Sequence, residues 1–167
     1  DKIILPGVGA FSAGMQNLSS RGWIPTLENE VHKEGKPFMG LCLGMHLLAT
    51  TGYEHGAHDG LNWVPGTVKR IETDHPSLRV PHISWNDVRV LHENGIYSNH
   101  ADAMTFYFLH SYVLTPDDRT TISSTCAYGS EFAASIETGN ICAVQYHPEK
   151  SQKCGLAVLK NFLSTEA

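Results

Sequence analysis

PFMGLCLGMHLLA, residues 37–49, carries a buried-type apolar run across two glycines and a cysteine into apolar residues at helical spacing. PFMGL reads as a strand, and LGMHLLA (43–49) as a short helix stopped by Gly52. Cys42 then stands on a tight strand-to-helix turn that projects its side chain from the sheet's C-terminal edge. Glycines two residues before and two after remove side chains that would collide there. In the first helical turn Cys42 is expected to feel free N–H groups and the positive end of the dipole. Both lower a thiol's pKa and favour the thiolate. The plain alternative is a structural cysteine with incidental glycines.

Upstream, KIIL (2–5) is a short apolar run stopped by Pro6 and Gly7, with Gly9 giving the loop a second flexible joint. Helical periodicity fills Ser12 to Glu34 in two pieces, broken near Gly22, restarted at Pro25 and ended by Gly35. Strand, helix, strand, helix is the pattern of a parallel α/β sheet. Between Gly66 and Ile136, β-type segments follow one another: TVKRI, ISWNDVRV, MTFYFLHSYV, TTISSTCAY and FAASI. Alternation in MTFYFLHSYV (104–113) assigns Phe106 and Phe108 to the core. ICAVQYH (141–147) is a further strand, and from Ser151 an amphipathic helix carries Leu156, Leu159, Phe162 and Leu163.

The expected fold is therefore α/β: an open mixed, mostly parallel sheet flanked by helices, with a β-rich insertion, forming a single domain over residues 1–167. The chain opens on DKIILPG without a methionine and is already strand-like there, so the start of the natural protein is expected to be missing.

A length of 167 residues, 41% hydrophobic and 17% charged, is enough for one α/β core. A net charge of -5 with only 12 Lys and Arg argues against nucleic-acid binding, which needs clustered cations. No apolar run approaches the roughly 20 residues of a membrane helix, and no basic-then-apolar leader opens the chain, so a cytoplasmic protein is expected. Cysteines 42, 126, 142 and 154 form no CxxC pair; reduced thiols are expected, the last three structural. HGAH (55–58) lacks a second ligand pair, so it reads as a polar loop, not a metal site.

A thiolate needs a proton partner, and QYHPEKS (145–151) supplies a candidate at a strand's end. Residues two apart on an extended backbone point the same way, so His147 and Glu149 can lie side by side, with Pro148 stiffening the link. The carboxylate can hold one imidazole nitrogen and leave the other for Cys42, a Cys, His, Glu triad. HPE also reads as a helix start, and the two readings are compatible. His46, one helical turn after Cys42, is a rival base. It lacks a carboxylate to orient it and leaves little room for a carbonyl, so it is read as a substrate contact or packing residue. Oxyanion donors are the backbone N–H of Leu43 and one from PGVG (6–9), Val8 or Gly9.

PGVGAF (6–11), GLCLGM (40–45), VPHISWNDV (80–88), FYFLHSY (106–112), YGSEFAASI (128–136) and QYHPEKSQKCGLAVLKNF (145–162) together resemble the class I glutamine amidotransferases, nearly end to end. Within that family the chain is most similar to glutaminase subunits of histidine biosynthesis. The resemblance implies a flavodoxin-like fold and Cys42 as the nucleophile of a γ-glutamyl thioester, with His147 as acid/base and Glu149 as its orienter. The backbone of Gly7 and Gly9 in PGVG, with His46, Ser111 and Tyr112, would hold glutamine and the oxyanion. Ammonia would pass to a (β/α)8-barrel cyclase in a heterodimer; no cofactor or metal is implied. Two other readings stand beside it: a paralogous glutaminase feeding another synthase, such as one that amidates a sugar, and a weakened chain serving as a synthase's binding subunit. Where the family has Gln this chain has His46, which cannot reproduce an amide's donor and acceptor pair. Ile83 and Ser84 replace Met-Gly in the stretch that borders the partner. The family's first βα unit is absent from this sequence.

Overall fold

The computed structural model describes residues 1–73, 75–93, 95–99 and 104–165. It begins with β1 (Ile3–Gly7), α1 (Phe11–Ser20), α2 (Trp23–Glu28) extended by a wide turn over Asn29–Lys33, β2 (Phe38–Cys42) and α3 (Leu43–His46). Gly22 (φ 69°) separates the first two helices and Gly35 (φ 67°) ends the second, both in the left-handed region where glycine carries no Cβ penalty. The helix after Cys42 stops at His46, short of the expected Ala49. The chain tightens there so that the carbonyls of Leu47, Leu48 and Ala49 can accept N–H groups from residues 61–64.

Next come β3 (Thr51–Gly52), β4 (His58–Asp59), β5 (Gly66–Arg70), β6 (His82–Val90), β7 (Met104–His110), β8 (Tyr112–Pro116), β9 (Ile122–Tyr128), β10 (Ser130–Thr138), β11 (Ile141–Val144) and α4 (Gln152–Ser164). The main sheet has seven strands in the order β1-β2-β11-β10-β9-β6-β7. Parallel pairing is confined to β1/β2 and β2/β11. The sheet is mixed, as expected, but its antiparallel share is larger. The middle β-type segments do not stand apart as an insertion: β6, β7, β9 and β10 complete the main sheet, and only β5 and β8 join β3 and β4 in a second, four-stranded sheet. Loop length is the reason. Single Gly129 links β9 to β10 and Gly139-Asn140 links β10 to β11, too short for the crossover a parallel pair needs.

β2 and β11 are buried along their whole length, as central strands with both faces covered. Successive residues feed opposite cores. Phe38 packs with Phe11, Leu18 and Val31 on the side of α1 to α3, while Met39 and Leu41 pack with Phe106, Phe108 and Phe162 on the side of α4. Each such side chain contributes about 1.5–3 kcal/mol on burial. In α4 the buried stripe is Gly155, Val158 and Phe162. Leu156 and Leu163, expected on the apolar face, are exposed. No helix is long and apolar enough to cross a membrane among the described residues.

Candidate active site

Cys42 ends β2 with φ 51° and ψ -104°, a conformation that L residues rarely hold without support from their surroundings. The flanking glycines supply that support, and the structure sharpens their role. A Cβ on Gly40 would lie 2.8 Å from the backbone of Gly44, and one on Gly44 would overlap the carbonyl oxygen of Leu5. They let α3 press onto β1 and β2, which forces the turn at Cys42. Gly7 pairs with Cys42 across β1/β2, and a Cβ there would meet Leu43 at 3.2 Å.

A cavity of about 390 Å³ opens over this elbow. Of the candidate site residues, Val8, Gly9, Cys42, Leu43, His46, Ser111 and Tyr112 line it, whereas Gly7 does not. Glu54, Leu109 and His110 also line it and were not legible in the sequence. The Glu54 Oε2 accepts the Phe11 N–H at 2.7 Å, which fixes a carboxylate at the cavity wall.

His147 and Glu149 stand beside the cavity and are not in its wall. His147 Nδ1 and Glu149 Oε1 are 2.8 Å apart, as expected, but across the start of a 3-10 turn over Pro148–Lys150 and not along an extended backbone. With its proton on Nδ1, the buried Nε2 presents a lone pair, and it has no hydrogen-bond partner among the described residues. The backbone of His147 is clamped to β7: its N–H donates to Tyr107 O at 2.9 Å, and its carbonyl accepts the Ser151 hydroxyl at 2.6 Å. Ser151 Oγ in turn accepts the Tyr107 N–H at 3.0 Å. The sheet therefore curls until the free edge of β7 meets the C-terminal ends of β2 and β11.

The same edge reaches the cysteine. The Cys42 thiol donates to Leu109 O at 3.8 Å, and Gln145 Nε2 donates to Cys42 Sγ at 3.8 Å. Gln145 Oε1 lies 2.7 Å from His46 Nε2. Gln145 was not legible in the sequence; the register that pairs Val144 with Leu41 sets it beside Cys42. The expected lowering of the thiol pKa does not occur. Burial pushes the thiol up to about 11, and Glu149 adds to the rise against the Leu43 N–H, Gln145 and Lys150. A helix of four residues has too little dipole to outweigh dehydration. Burial also holds the His46 imidazole below its ordinary value.

His110 of the cavity wall and His82 form a pair of neutral histidines. His110 Nδ1 donates to Tyr112 O at 2.9 Å, so its Nε2 accepts from His82 Nδ1 at 3.0 Å. Burial pushes His110 down to about 3 and His82 down to about 4. HGAH forms part of the β3–β4 hairpin, and among the described residues no group of three or more His, Cys, Asp or Glu is arranged to hold a metal ion.

A mixed α/β sheet with a cysteine elbow under a cavity, and a His–Glu pair at the next strand end, defines the class. Residues 1–165 match the family Glutamine amidotransferase class-I. Imidazole glycerol phosphate synthase subunit HisH of Caulobacter vibrioides is 41% identical over 98% of this chain and 76% of its own. The protein of the same name from Geobacter sulfurreducens is 44% identical over 97% and 79%. A crystal structure of a glutamine amidotransferase superposes with a TM-score of 0.69 at 17% identity, covering 95% of this chain and 77% of its own, and shows the shared fold. The chain belongs to the class-I glutamine amidotransferases.

Proposed function

We propose that this chain is a single-domain glutaminase that releases ammonia from glutamine through a thioester on Cys42, as the glutaminase subunit of an imidazole glycerol phosphate synthase. The observation that carries the chemistry is the elbow: a cysteine at positive φ between two glycines, opening onto the cavity. Relatives above 40% identical over nearly the whole chain support the pathway.

In this reading Cys42 turns its thiol from Leu109 O toward His147, gives its proton to Nε2 and attacks the carboxamide carbon of glutamine. The Leu43 N–H, with one from Val8 or Gly9, donates to the oxygen on which negative charge develops. His147, held by Glu149, returns the proton to the leaving nitrogen, which departs as ammonia. Water then cleaves the thioester with His147 as base, releasing glutamate. Glu54 at the cavity wall complements the substrate's α-ammonium, and Ser111 and Tyr112 face its other backbone groups. A high thiol pKa suits a site that is idle until substrate or partner reorganises it.

The ammonia goes to a (β/α)8-barrel cyclase that makes imidazole glycerol phosphate and AICAR. Exposed Ile83 and Trp85 on β6, with Trp85 packed edge-on against Tyr107 at 6.0 Å, offer an apolar face for that partner. Tyr107 is also the residue whose backbone holds His147, so docking there bears directly on the proposed base.

The test is ammonia release from glutamine by the chain with and without the co-expressed barrel subunit and its nucleotide ligand, beside Cys42→Ala. Ligand-stimulated release that vanishes in Cys42→Ala is expected. Equal release by Cys42→Ala, or none from the complex, overturns the reading.

A further inference from the structure

His46 departs from the family's glutamine, yet it is buried and its Nε2 is already engaged. The hydrogen-bond accounting around it closes in one sense. The Cys42 thiol gives its proton to Leu109 O, so sulfur is free to accept. In the orientation these contacts give it, Gln145 turns its NH2 to Sγ and its Oε1 to His46, and His46 then carries its proton on Nε2. The four groups form a chain, His46 to Gln145 to Cys42 to Leu109 O.

Building on the glutaminase reading above, we propose that His46 is a positioning residue for the cysteine: by donating Nε2–H to Gln145 Oε1 it locks the amide with its NH2 group facing Cys42 Sγ.

A primary amide has two nearly isosteric orientations that exchange donor and acceptor. Only one of them stabilises a thiolate; the other aims a carbonyl dipole's negative end at it. A second amide at position 46 can satisfy either orientation by turning itself over, whereas the Nε2–H imidazole offers that atom only as a donor and selects one. Its loss of amide versatility thus serves the nucleophile. The gain matters because burial and Glu149 raise the thiol pKa, and Gln145 is among the few groups that lower it, beside the Leu43 N–H and Lys150.

The test reads the pH dependence of iodoacetamide alkylation of Cys42 in the full chain, by mass spectrometry of its peptide, beside the kcat and KM for glutamine. His46→Phe should move the alkylation midpoint upward by about one pH unit and lower kcat with little change in KM. His46→Gln, whose amide satisfies either orientation of Gln145, should give a midpoint between that of the unsubstituted chain and that of His46→Phe. Gln145→Ala should raise the midpoint, and adding His46→Phe to it should raise it no further. An unmoved midpoint in His46→Phe with a raised KM overturns the proposal and makes His46 a substrate contact. Should His46→Phe fail to fold, an unmoved midpoint in Gln145→Ala overturns it equally. Alkylation needs no turnover, so a chain that shifts its midpoint but releases no ammonia would sink the glutaminase reading alone.

Discussion

The two halves of the main sheet prepare the site in different ways. In the parallel half, β1, β2 and β11, the geometry of Cys42 is settled within a few residues: Gly40 and Gly44 permit the elbow and Leu5 closes over it. In the antiparallel half, nothing near β7 in sequence reveals that Tyr107 and Leu109 will reach His147 and Cys42. They do so because the sheet curls and an edge strand's spare backbone groups need partners. One half builds the Cys42 elbow locally, and the other sets its surroundings from a distance.

Cys42→Ala should give the largest effect, a loss of ammonia release of about 10³-fold or more with the fold retained, read by glutaminase assay and circular dichroism. A mutant that keeps its rate would break the assignment of the parallel half. Gly44→Ala tests the same half through packing. Its Cβ must displace the Leu5 carbonyl, so a stability loss of about 3 kcal/mol or more is expected in denaturant titration. An unchanged midpoint would mean that the elbow does not depend on that contact.

Acid should strike the antiparallel half, where His82 of β6 meets His110 of β7. Both are held below the ordinary histidine value near 6.5, so the unfolded chain binds the extra protons. Their contribution is therefore present above about pH 6.5 and is lost as pH falls toward 4. Stability should drop by on the order of 4 kcal/mol between pH 7 and 5, about half from each histidine, and His82→Phe should roughly halve that slope in thermal unfolding. Ser151→Ala should cost about 1–2 kcal/mol by leaving the Tyr107 N–H and the His147 carbonyl without a side-chain partner. It should also lower kcat more than KM, if β7 holds the base. Cys42→Gly should be the smallest change in stability and opposite in sign, a gain of about 1 kcal/mol from relieved backbone strain with activity abolished.

Glycines at 22, 35, 40 and 44 and the alternation of β7 were legible in the sequence because each answers to local sterics or to one buried face. Pairing of His147 with Glu149 was legible as a short-range link, although a 3-10 turn starting at Pro148, and not an extended backbone, brings the two side chains together. Glu54 was not, because its place at the cavity depends on α1 lying beside the β3–β4 hairpin. The buried stripe of α4 was misread at Leu156 and Leu163, because periodicity gives a helix two candidate faces and only the sheet beneath it chooses.

By itself the sequence determined the elbow at Cys42, the His147–Glu149 pair and the α/β character of the chain. Short-range geometry dictates all three: where a backbone must turn, which residues share a face, how far a link can reach. Only the tertiary structure decided that the thiol is held in its neutral form, that His46 faces Gln145, and that an edge strand clamps His147. Those outcomes depend on dehydration and on hydrogen bonds between segments up to a hundred residues apart, which no local pattern encodes.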